Sequence, residues 1–89
     1  MVVAASDDMK HVTDYLDYLA EDTSIPRNIR KGASDAKARL LDTKEPMDIR
    51  ATSAIVILED LANDPNIPLQ GRTIIWQAIS QLETMSRQN

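Results

Sequence analysis

The chain has 89 residues, of which 43% are hydrophobic and 27% charged; this is one domain's worth of sequence and too apolar to stay disordered. There is no Cys, which excludes disulfides, thiolate nucleophiles and Cys-type zinc sites, and fits a reducing compartment. The net charge of −4 excludes a global attraction to nucleic acid or anionic lipid.

The opening MVVAASDDMK has no basic region and only five apolar residues before Ser6, too little for a signal peptide or membrane anchor. A cytoplasmic location is the expectation. The helical period then sets in. Met9, Val12, Leu16 and Leu19 share one face, with Tyr15 and Ala20 beside them and Ser6 as candidate N-cap. The second segment places Ile29, Ala33, Ala36 and Leu40 together. The third aligns Ala51, Ala54, Ile55, Leu58, Leu61 and Ala62. The fourth aligns Ile74, Ile75, Ala78, Ile79, Leu82 and Met85. Breaks fall near Pro26, Pro46, Pro65 and Pro68. The spacing predicts helices at about 6–21, 27–42, 47–63 and 69–86. The longest uncharged apolar run, ATSAIVIL from Ala51 to Leu58, falls far short of the ~20 residues that span a bilayer. With few aromatics and no Phe, the core has to be aliphatic, which favours close helix-on-helix packing.

A shift of 42 residues lays the first half on the second. Leu16, Leu19, Ala20, Asp22, Ile25, Pro26, Arg30, Ala36 and Leu40 fall on Leu58, Leu61, Ala62, Asp64, Ile67, Pro68, Arg72, Ala78 and Leu82. The turn residues match as well as the apolar ones, which points to a duplicated helix–turn–helix, with repeats at about 6–43 and 46–87. Pro26 and Pro68 suit the first helical position, and each pushes the Ile before it into an extended conformation. Asp22 and Asp64 are expected to accept loop N–H groups or to pair with Arg30 and Arg72. The period lies in the range of HEAT and armadillo units, and the EDTSIPRNIR and NDPNIPLQGR turns resemble a HEAT inter-helix turn with an added Ile-Pro pair. Two units are too few for a solenoid, so the expected fold is all-α, a single four-helix domain over residues 1–89 made from two similar αα-hairpins.

Residues with chemistry are sparse. His11, the only histidine, falls on the polar side of the first helix. Ser6, His11 and Asp7 make a Ser–His–Asp set on paper, without a nucleophile elbow or oxyanion pocket, so a surface histidine is the reading. Asp14, Asp17 and Glu21 share a face and could hold a hard cation in a metal-dependent hydrolase; a solvated acidic face accounts for them equally, and no metal or cofactor is assigned. Residues 27–44 carry a net charge of +4 and the remainder −8. Arg27, Arg30, Lys31, Lys37 and Lys44 are candidate nucleic-acid contacts, with Arg30, Lys37 and Lys44 recurring every seven residues as a stripe. Neutralisation of the basic second helix by the acidic first helix is the favoured account. No aromatic residue lies in that segment to stack on bases.

A second apolar surface remains. Leu69 and Trp76 point away from the fourth helix's core face, and Ile49 and Val56 away from the third's. The third helix is apolar nearly all round, which predicts a central position with Trp76 covering it. The other reading is an exposed patch that a partner covers.

The phrases EDTSIPRNIR, AIVILEDLANDPNIP and RTIIW resemble, over nearly the whole chain, a family of short archaeal proteins catalogued as an uncharacterised "UPF" family. The resemblance implies a small all-helical cytoplasmic protein and carries no activity or site residue with it. The expected function is a non-enzymatic protein-interaction module, with homodimerisation one mode. It would bind through Ile49, Val56, Leu69 and Trp76, with a nucleic-acid-associated accessory factor as the alternative.

Overall fold

The computed structural model describes residues 4–87, with side chains from Asp8 to Ser86. Four helices follow in chain order: α1 (Ala4–Glu21), α2 (Arg27–Leu40), α3 (Met47–Ala62) and α4 (Leu69–Arg87). The ends fall within two residues of those the hydrophobic period predicts. Ser6 lies inside α1, which is described from Ala4, and so is not its cap. The second helix stops at Leu40, where Leu41 and Asp42 turn away.

Short turns make consecutive helices antiparallel. Each helix has two neighbours: α1 lies against α2 and α4, and α3 against α2 and α4. Among the described residues the backbones of α1 and α3 do not approach closely, nor do those of α2 and α4; these pairs lie diagonally across the core. A HEAT-like array would stack those pairs; here α4 instead returns to α1 and closes a ring. Closure buries the apolar faces that two stacked hairpins would leave open at either end. The bundle measures 39 × 23 × 19 Å. The third helix makes the most extensive packing of the four, yet like the others it has only two neighbours, and one side of it, with Ile49 and Val56, faces outward.

The core lies along the axis of the ring. Val12, Leu16 and Leu19 of α1 meet Ile29, Ala33, Ala36 and Leu40 of α2. Ala51, Ala54, Leu58, Leu61 and Ala62 come from α3, and Ile75, Ala78, Ile79, Leu82 and Met85 from α4. Ile55 and Ile74, expected in the core, sit half-buried at its edge. Several apolar positions related by the 42-residue shift are buried alike, as with Leu16 and Leu58, Ala36 and Ala78, and Leu40 and Leu82. This fits the duplication. Gly32 lets α2 approach α3: a Cβ there would stand 2.6 Å from Leu61 Cδ2 and 2.8 Å from Cδ1. Overpacking of that order forces side chains or backbone to move.

All three turns have the same construction. Asp22, Asp42 and Asp64 each accept, through Oδ1, the backbone N–H two residues on, at 2.9, 3.1 and 2.8 Å. The backbone carbonyl of each accepts the N–H three residues on. Proline follows at Pro26, Pro46 and Pro68, and the carbonyl of each opens the next helix by accepting the N–H of Arg30, Arg50 or Arg72. The prolines thus stand at the cap, one place before the expected first helical position. Pro26 (φ −53°, ψ 147°) and Pro46 (φ −65°, ψ 158°) have the extended ψ that a cap needs. Asp, Pro and Arg therefore recur at intervals of four in every turn: Asp22–Pro26–Arg30, Asp42–Pro46–Arg50 and Asp64–Pro68–Arg72. The α1–α2 and α3–α4 turns share one end of the bundle, where Ile25 and Ile67 are buried and Asn28 Nδ2 donates to Asp64 Oδ2 at 2.7 Å. In the lone turn at the other end Glu45, exposed, replaces the isoleucine.

Candidate interface

The helix register that buries Ala51, Ala54, Leu58 and Leu61 turns Ile49 and Val56 to the opposite side. Seven residues apart, they lie one above the other. Both are exposed, at 48% and 55%, and both line a shallow open depression of about 460 Å³ with Thr52, Ser53, Ile57, Asp48 and Arg39. Leu69 and Trp76 are also exposed, at 78% and 48%, along one stripe of α4, but they do not line the depression. Trp76 is therefore half-exposed and leaves the outer side of α3 open at Ile49 and Val56. The structure brings two of the four candidate interface residues into one concavity and leaves the other two on the adjoining helix. Arg39 and Asp48 complete its rim. Apolar spacing alone cannot single them out, because Arg39 reaches the site from α2.

The basic candidates do not form the expected stripe. Lys37 Nζ bonds Asp17 Oδ1 of α1 at 2.7 Å, the neutralisation expected between these helices. Arg30 turns inward and donates its Nε to the Ile25 carbonyl at 3.0 Å, so it does not pair with Asp22. Lys31 pairs with Asp35 at 3.0 Å. Lys44 lies in the α2–α3 turn, off the helix whose period would have placed it in line. Arg27 and Lys44 are exposed at opposite ends of α2.

The acidic face of α1 is engaged by lysines. Asp17 takes Lys37, and Asp14 takes Lys10 at 3.3 Å. Among the described residues no group of three or more His, Asp or Glu is placed to hold a metal ion. His11 is exposed, and the side chains of Ser6 and Asp7 lie outside the described residues. No described helix is long and apolar enough to cross a membrane.

A closed ring of four antiparallel helices, sealed by three like turns and carrying apolar side chains on its outer flank, defines a small all-α bundle protein. The chain belongs to the Uncharacterised protein family (UPF0147), which it matches over residues 2–85. It is similar to the UPF0147 protein of Methanosarcina acetivorans, 50% identical over 79% of this chain and 72% of that one. The UPF0147 protein of Thermoplasma volcanium is 39% identical over 98% of this chain and 99% of its own. A crystal structure of a UPF0147 protein from Thermoplasma acidophilum, 39% identical, superposes with a TM-score of 0.91 over 96% of this chain and 100% of that one. These relatives are all archaeal.

Proposed function

We propose that this protein is a non-enzymatic protein-interaction module that docks through the outer side of α3 and the adjoining stripe of α4. The observation that supports the reading is the exposure of Ile49 and Val56 around one depression, on the side of α3 opposite the core. Single exposed apolar residues are ordinary on soluble proteins and need no explanation. Two β-branched residues one heptad apart, flanking a concavity, beside an exposed tryptophan, form the kind of surface on which a partner finds its anchors.

The test is a tagged pull-down from native lysate, with and without nuclease, comparing the wild type with Val56→Arg and Trp76→Ala. Both positions are exposed, so the fold should change by no more than about 0.5 kcal/mol. Nuclease-resistant protein partners should be retained by the wild type and lost from Val56→Arg. An unchanged partner set in both variants would remove the proposal. Partners lost on nuclease treatment alone would bring forward the nucleic-acid reading and its exposed Arg27, Lys31 and Lys44.

A further inference from the structure

We infer that the occupant of the α3 depression is a second copy of this chain, related by a two-fold axis running along α3. This rests on the docking site proposed above and names its partner. Three observations support it.

The rim carries opposite charges on opposite flanks. Gly32 of α2 lies against Leu61, so the Leu61 side of α3 is its α2 flank, and Ile57, four residues earlier, lies on that same flank. Asp48 is nine residues before Ile57, two and a half helical turns, and so lies on the other flank. Arg39 overhangs the depression from α2. Cation and anion thus face each other across an apolar floor, and among the described residues neither forms an ion pair within its own chain.

A two-fold axis along α3 keeps the helix direction and exchanges the flanks. Each Arg39 then meets the acidic flank of its partner, which carries Asp48, while Val56 meets Val56 and Ile49 meets Ile49 across the floor. This self-complementarity is what an isologous interface requires. The axis perpendicular to α3 would instead lay like flank on like flank with the helix direction reversed, so that neither Arg39 nor Asp48 would meet the opposite charge of the partner's rim.

The floor also suits a second α3. Thr52 and Ser53, between Ile49 and Val56, are small enough for a facing helix to approach closely. β-Branched residues at a seven-residue spacing are favoured between two parallel helices. The rim sums to zero charge, which gives a polyanion nothing to prefer.

Sedimentation velocity of the full chain from about 1 µM to about 1 mM tests this. The wild type should reach a dimer within that range. Val56→Arg should remain a monomer with an unchanged helical circular-dichroism spectrum. Arg39→Asp and Asp48→Arg should each weaken the dimer about a hundredfold, since the symmetry repeats every like-charge contact. An equimolar mixture of those two variants should dimerise again, because every cross-contact in the mixed pair is of opposite sign. A wild type that stays monomeric overturns the inference; the docking-site proposal then stands or falls separately, on whether Val56→Arg loses a different partner. A dimer indifferent to Val56→Arg overturns it too, and so does a mixture of the charge variants that stays monomeric.

Discussion

At Asp22 three atoms account for the shape of a whole turn. Its Oδ1 accepts the Ser24 hydroxyl at 2.7 Å and the Ser24 backbone N–H at 2.9 Å. Both bonds favour the ionised carboxyl and hold its pKa below the ordinary aspartate range, the hydroxyl most strongly; the Tyr18 hydroxyl and the Arg30 charge add smaller effects in the same direction. A carboxyl depressed in the folded state supports folding above its unfolded pKa, and that support is lost as pH falls through the folded value. The loss therefore belongs to the acid side, below about pH 4. Ser24→Ala removes the main donor and keeps the backbone one. The Asp22 carboxyl, followed by NMR titration, should then titrate at higher pH, while its neighbours stay put. A midpoint that does not move would transfer the effect to the backbone N–H.

At the scale of the helix, the same turn residues do different work. Arg50 Nη1 donates to the Leu40 carbonyl at 2.8 Å, closing the exposed end of α2 with a cation where the helix dipole favours one. Its Nε is buried and makes no hydrogen bond among the described residues. Arg72, at the matching place in the third turn, is exposed and makes no such contact. Arg50→Ala should cost about 1–2 kcal/mol in urea unfolding and Arg72→Ala less than about 0.5.

Helices were legible in the sequence because the period of the apolar residues needs no partner to be seen. The middle turn was not. Asp42, Pro46 and Arg50 lie 20 residues after the first set and 22 before the third, so a 42-residue shift steps over them, and Glu45 hides the likeness where its counterparts are isoleucine. The open outer face of α3 was not legible for a related reason. Its composition shows an apolar girth but not how many neighbours the ring would supply, and Ile49 and Val56 ended outside. Exposure of the four interface candidates was readable as one of two alternatives. Their division between a depression and a neighbouring stripe depended on packing, and so did the arrival of Arg39. Lys44 dropped out of the basic stripe because a heptad count keeps running after Leu40 ends the helix.

For the molecule as a whole, the governing fact is that α4 lies against α1. Gln70, at the start of α4, donates to the hydroxyl of Tyr18, near the end of α1, at 3.1 Å. The end of α1 thus meets the start of α4, and the two helices run antiparallel. Each hairpin is bonded to the other as it is to itself, and connectivity is the only thing that makes the α2–α3 turn an internal link. A permuted chain, with a short flexible linker from α4 to α1 and new ends opened between Asp42 and Pro46, should keep the same helices and melt cooperatively, because surface turns with few buried groups tolerate such cuts. Opening it instead at Ile25 or Ile67 would cut beside a buried plug and should cost more. In that rearranged order the second hairpin would come first, and the bundle would be indifferent to which half the chain begins with.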